Sequence, residues 1–138
     1  MSRRLGRETA LQTLFQHELG RVDLQFALTY TCEEFSVSEQ AAQFARNLVE
    51  GVEKNREAID HTIGRLAVEW NLSRLANVDR NLLRLAVYEI LYSPEVPNNV
   101  AINEALELAK IYSGEEAAKF INGILGQLAR ELQNQVQS

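Results

Sequence analysis

Three arginines, Arg3, Arg4 and Arg7, have the type and spacing that most directly suggest chemistry in this chain. Arg3 and Arg7 are four residues apart, and Arg4 and Arg7 three, so on a helix their guanidiniums share one face. A planar guanidinium donates two bonds to one phosphate, which makes the cluster a candidate contact for a nucleic-acid backbone. A charged surface helix end would carry the same residues, so the cluster does not decide by itself. The chain carries a net charge of −5, and its surface as a whole should repel nucleic acid. Only Glu8 opposes the three arginines within the first ten residues, however, so this end is locally positive.

Catalysis finds no such cluster. His17 and His61 are far apart, and neither has metal-ligand spacing with another His or Cys. His17-Glu18 lacks the second histidine of a zincin helix. There is no P-loop, dinucleotide fingerprint or Gly-x-Ser-x-Gly elbow. Glu33-Glu34 and Glu115-Glu116 read as solvated helix-end charges, the latter suited to a helix N-terminus. Gly123-Ile-Leu-Gly126 has the spacing of the glycine loop that clamps RNA in KH domains. It lies inside a helical apolar repeat with no basic residue between the glycines, so close helix packing is the better account. No catalytic residue, metal or cofactor is expected.

Cys32 has no cysteine to pair with and lies in an apolar segment, as a small buried hydrophobe in a reducing cytoplasm would. The first residues lead into Glu8 and a mixed polar stretch, so neither a signal peptide nor a membrane span is expected. At 138 residues the chain suits one domain, residues 1–138, and is long enough to bury a core without a staple. An apolar fraction of 46% with 24% charged residues supports a globular protein over a disordered one.

The elements that must position the arginines are helices. From about Arg4 to Arg21, Leu11, Leu14, Phe15, Leu19 and Val22 fall at three- and four-residue steps, and Gly20 ends the pattern. A shorter helix runs from Asp23 to about Thr31, with Leu24, Ala27, Leu28 and Thr31 on one side. Ser36 and Glu39 form a capping box, opening a helix with Ala41, Phe44, Ala45, Leu48 and Val52 as its stripe. Gly51 and Asn55 mark a break. Ile59, Ile63, Leu66, Ala67 and Trp70 define the next helix, with Asn71 and Ser73 interrupting it. Arg80 to Tyr92, capped by Asp79 or Asn77, is apolar nearly all round and should be the central, most buried helix. Pro94 and Pro97 stop it, and Asn98-Asn99 cap a helix faced by Ile102, Ala105, Leu106 and Ala109. Ser113-Gly114 turn the chain into a last helix from Glu115, followed by a flexible tail over 133–138. The pattern is all-α, with about seven helices, no strand, and no linker to keep the two halves from packing as one body.

Arg84 and Glu89 interrupt the apolar helix, and buried charges of this kind require a salt bridge, a cap or a partner. Asn103, Glu104, Lys110 and Asn122 recur beside small residues in the last two helices. Taken together, Arg7-Glu-Thr-Ala-Leu-Gln-Thr-Leu-Phe15, Asp79 to Leu91, Val100 to Lys110 and Phe120 to Leu125 resemble the NusB family of transcription antitermination factors. The segments occur in the family's order and spacing, from the N-terminal arginines to about Leu128.

The resemblance implies two small helical bundles packed together. It implies a bacterial antitermination factor that binds boxA RNA with NusE, a small-subunit ribosomal protein, and acts on RNA polymerase during ribosomal RNA transcription. It also implies roles for particular residues: Arg3, Arg4 and Arg7 as RNA contacts, Lys119, Phe120 and Asn122 as a second part of the RNA-facing surface, and Phe15, Leu19 and Asp79 in docking the protein partner. Leu5-Gly6 splits the arginines, and Gly6 weakens the first helical turn.

Two other readings compete. One is a helical adaptor or homodimer that contacts no RNA, with Phe15 among its apolar contacts. The other is an accessory domain like those preceding ribosomal RNA cytosine methyltransferases; the chain ends at Ser138 without such a catalytic domain, which argues against an enzyme.

Three arginine contacts make a weak, salt-sensitive binder that a basic partner would strengthen by sharing the RNA. With three phosphates neutralised on a single strand, a fourfold rise in salt should cost roughly twentyfold in affinity. Arg4→Ala combined with Arg7→Ala should lower both the affinity and that slope in a salt titration; if both stay unchanged, the arginines are not the contact.

Overall fold

The computed structural model describes residues 3–67 and 75–137. Seven helices account for most of them, and no strand occurs among the described residues. The chain divides into two compact units, Met1–Lys54 and Asn55–Ser138.

The first unit contains α1 (Arg3–Gly20), α2 (Leu24–Glu34) and α3 (Glu39–Lys54). α1 packs on both of the others. Its buried stripe includes Ala10, Leu11 and Leu14, and the two threonines in that stripe satisfy themselves locally. Thr9 Oγ1 donates to the Leu5 carbonyl and Thr13 Oγ1 to the Thr9 carbonyl, each at 2.8 Å, so neither hydroxyl is buried without a bond. After Gly20 the chain turns through Arg21, whose φ of 53° lies in the left-handed region. His17 closes that turn. Its Nδ1 lies 2.6 Å from the Val22 carbonyl oxygen, an acceptor, so Nδ1 carries the hydrogen. Asp23 then caps α2 by accepting from the Phe26 N–H. Cys32 is half-buried, and burial pushes its thiol above the ordinary value against the opposing pull of Arg46. A raised thiol presents less of the thiolate, the nucleophilic form, at neutral pH.

α1 and α3 meet closely at Gly6. A Cβ there would lie 2.6 Å from Cδ1 of Phe44 and 3.4 Å from the Ala41 carbonyl oxygen. The glycine that weakens the first turn of α1 is thus the residue that lets α3 lie against it.

The second unit contains α4 (Arg56–Leu66), α5 (Asn77–Tyr92), α6 (Asn98–Tyr112) and α7 (Glu115–Gln137). α5 packs against all three of the others, and Leu82, Leu83 and Val87 are each at most 1% exposed. It is the central helix that its apolar pattern predicts. Arg84 is sunk into the same helix, and its partner is Asp60 of α4. Nε donates to Oδ1 at 2.8 Å and Nη2 to Oδ2 at 3.0 Å. Nη1 donates to Asn81 Oδ1 at 3.2 Å, and Asn81 Nδ2 in turn reaches Asn77 Oδ1 at 2.8 Å. The fork geometry of the guanidinium is matched by the carboxylate, so the charge is buried with its bonds made.

Several caps fall elsewhere than the sequence pattern suggests. Ser38, not Ser36, accepts from the Ala41 N–H at the start of α3, because Ser36 is taken up in the preceding turn with φ 49°. α3 continues through Gly51, and the break comes at Asn55. Ala76 precedes α5 and Pro97 precedes α6, neither with a side-chain cap; Asn77, Asp79, Asn98 and Asn99 lie inside the first turns. Gly114, with φ 123°, joins α6 to α7 as the Ser113-Gly114 turn requires. α7 runs on to Gln137, through most of the polar segment read as a flexible tail. Trp70, Asn71 and Ser73 lie outside the described residues.

Two stability measurements follow from this packing. Asp60→Ala leaves the Arg84 cation buried without its carboxylate and should cost about 3 kcal/mol, whereas Asp60→Leu with Arg84→Met should cost much less; urea titrations compare them, and equal losses would show that an unanswered cation is not what makes Asp60→Ala costly. Gly6→Ala should gain about 1 kcal/mol of helix propensity yet lower the melting temperature, because overpacking against Phe44 costs about 1–3 kcal/mol. That loss should shrink when Phe44 is also replaced by Ala.

Candidate nucleic-acid interface

The head of α1 is positive for two reasons that add. Arg3 and Arg4 project into solvent there, and no acidic residue occupies the first turn. The macrodipole also places its positive end at this terminus, where acids stabilise a helix and arginines do not. The helix dipole therefore does not favour arginines here, whereas it does favour an anion at this end.

The three arginines are not equivalent. Arg7 is only 4% exposed, and its Cζ lies 5.3 Å from the centre of the Phe44 ring. Arg3 Cζ lies 5.5 Å from the same ring. Both distances are in the range where a guanidinium is attracted to an aromatic face. The shared face inferred from spacing is real for Arg3 and Arg7, but that face looks toward α3 as well as outward. Phe44 was legible in the sequence only as one apolar position of its helix; its contact with arginines some forty residues away was not.

The second set of predicted contacts lies in the other unit, on α7. Lys119 and Asn122 are exposed and Phe120 is half-buried. Lys119 and Phe120 form part of the wall of a surface cleft of about 650 Å³, which also includes Leu75, Asp79, Ser113 and Glu116. Asp79, assigned by resemblance to the protein partner, and Lys119 and Phe120, assigned to RNA, therefore line one cleft. Among the described residues, a phosphate placed in it would meet two carboxylates, Asp79 and Glu116, and one ammonium, Lys119. An unstacked base or a basic side chain would meet an aromatic edge and the same carboxylates without net repulsion. Asp79 Oδ1 is shielded from solvent with no hydrogen-bond partner among the described residues, and the first turn of α5 supports its charge.

Gly123 is exposed beside these residues, and a Cβ there would meet nothing within 4 Å. At Gly126 it would meet only the Arg130 guanidinium, at 3.4 Å. Close helix packing does not explain the glycine pair. Gly123 instead leaves bare backbone at the surface next to Asn122.

Of the remaining partner positions, Phe15 is half-buried and Leu19 is 65% exposed. Phe26 and Tyr30 of α2 are exposed as well, at 64% and 47%. The sequence pattern assigned the other side of α2 to the core, correctly for Ala27, Leu28 and Thr31, and the two aromatics four residues apart on the opposite side were the overlooked sign of an apolar surface. No group of His, Cys, Asp or Glu fit to hold a metal occurs among the described residues.

Comparison with known proteins bears on the whole chain. The model of the NusB family matches residues 4–130. A transcription antitermination protein NusB from Heliobacterium modesticaldum is 65% identical over 132 residues, which are 96% of this chain and 64% of that protein; the chain thus spans slightly under two thirds of that relative's length. The solved NusB of T. maritima superposes with a TM-score of 0.88 at 42% identity, covering 95% of this chain and 92% of that one. A chain in the crystal structure of antitermination factors NusB and NusE with double-stranded RNA has a TM-score of 0.87 at 28% identity, covering 94% of this chain and 96% of its own length. A match that begins at the arginine-bearing head of α1 and ends near Arg130 of α7 makes this chain a member of the NusB family.

Proposed function

We propose that the protein is a bacterial transcription antitermination factor that binds boxA RNA together with NusE. It acts within the RNA polymerase antitermination complex during ribosomal RNA transcription, in the cytoplasm. The observation that carries this reading is the exposed pair Arg3 and Arg4 at the positive end of α1, where no acid stands in the first turn and an external anion would add favourably to the helix dipole. The relatives named as antitermination proteins support it, as does the solved complex of NusB, NusE and RNA. No helix among the described residues is long and apolar enough to cross a membrane.

The mechanism is positioning. Arg3 and Arg4 hold the RNA backbone. The cleft between α5 and α7 is the place where an aromatic edge, Phe120, meets unstacked bases or the partner, with Lys119 and Asn122 at its exposed side. The carboxylates of Asp79 and Glu116 suit a basic partner, which brings further cations to the same RNA. The acidic body, with net charge −5, keeps unaided binding weak.

A second reading has its own support. Leu19, Phe26 and Tyr30 expose apolar surface in the first unit, which fits a protein adaptor or a homodimer. Light scattering with and without NusE separates a dimer from a monomer.

Fluorescence anisotropy with a boxA-like RNA and a scrambled control tests the main reading. Affinity should favour boxA, and the preference should sharpen when NusE is added. Arg3→Ala with Arg4→Ala should flatten the log–log salt slope by about 1.4, equivalent to roughly sevenfold in affinity over a fourfold change in salt. Equal affinity for both RNAs in both mixtures would leave the adaptor reading in its place.

A further inference from the structure

We infer that Phe44 of α3 is a positioning residue for RNA binding, taking the Arg3 and Arg7 guanidiniums against its ring and so presenting Arg3 to a phosphate. The inference rests on the RNA-binding reading above and adds to it a residue that makes no direct contact.

Four observations meet at this ring. Arg3 and Arg7 lie 5.5 Å and 5.3 Å from its centre, both inside cation–π range. The ring itself is held, because the missing Cβ of Gly6 lets its Cδ1 edge lie directly against α1. Phe44 is half-buried while its neighbours Ala41, Ala45 and Leu48 are fully buried, so it stands at the rim of the α1–α3 packing. Finally, the two arginines differ in exposure, with Arg7 buried and Arg3 open to solvent. The inner cation is fixed against the ring, and the outer one is oriented by it.

This arrangement has a physical consequence for binding. A long arginine side chain free in solvent loses rotamer freedom when it grips a phosphate. One already laid against an aromatic ring has lost much of it. The ring thus makes the head of α1 better prepared for an anion than three unsupported arginines would be.

The test compares Phe44→Leu, which keeps apolar bulk without the π-face, with Phe44→Tyr, which keeps both. Binding of the boxA-like RNA is followed by anisotropy across a salt series, and the arginine Hδ shifts of the free proteins are followed by NMR. Phe44→Leu should weaken binding about two- to fivefold, the range of one exposed cation–π pair, with the salt slope unchanged because no charge is lost. Phe44→Tyr should restore affinity, and Arg3→Ala should cost less in the Leu background than in the wild type. The Arg3 and Arg7 Hδ resonances should be shifted upfield by the ring in the wild type and in Phe44→Tyr, but not in Phe44→Leu. Wild-type binding by a folded Phe44→Leu protein, equal losses for Leu and Tyr, or strict additivity with Arg3→Ala would overturn the inference alone. Failure of the wild type to bind RNA would overturn the parent reading and this one with it.

Discussion

A buried guanidinium must have its charge answered from a neighbouring element, because an isolated cation in a low-dielectric interior costs more than most single contacts contribute. Among the described residues each unit shows one such guanidinium. In the first, Arg7 is sunk between α1 and α3 and lies over the Phe44 ring. In the second, Arg84 is sunk into α5 and forks onto Asp60 of α4. The two solutions differ in kind. A carboxylate neutralises Arg84 and leaves a closed network through Asn81 and Asn77. An aromatic face attracts the Arg7 guanidinium and carries no formal charge of its own.

That difference separates scaffold from interface. The α4–α5 network is closed, its charge spent internally, and it fixes the register of two helices. The α1–α3 contact places arginines at a helix terminus whose dipole has the same sign. A sequence selected for stability alone would place Asp or Glu there. Gly6 brings α3 close, and Phe44 supplies the polarisable surface that two of these arginines meet.

The cleft on the second unit follows a different logic. Among the described residues its wall combines an aromatic ring, one ammonium and two carboxylates, a mixture better suited to bases or to a basic protein than to phosphate. A solved structure of NusB with NusE and double-stranded RNA contains a chain of this same fold. An acidic body with a small basic head suits a protein that binds RNA weakly alone and firmly in company.

Much of the architecture was determined by the sequence by itself. Apolar residues at three- and four-residue spacing specified seven helices, and the run from Leu82 to Leu91, apolar but for Arg84, Tyr88 and Glu89, marked α5 as central, since only a helix surrounded by others can be apolar nearly all round. Arg84 could be read as needing a partner, and the ordered motifs pointed to the family. Helix caps were less legible: Ser36 and Ser38 are chemically equal candidates, and only the backbone of the turn decides which hydroxyl faces an open N–H. Tertiary structure alone decided the rest. Helical spacing puts Arg3, Arg4 and Arg7 near one another but is silent about what the face looks toward, so the burial of Arg7, the service of Gly6 and the meeting with Phe44 appear only once α3 is in place. The same holds for Asp60 with Arg84 and for Asp79 with Phe120. Local periodicity records which side of a helix is apolar, whereas the pairing of charges and rings across helices depends on how those helices pack.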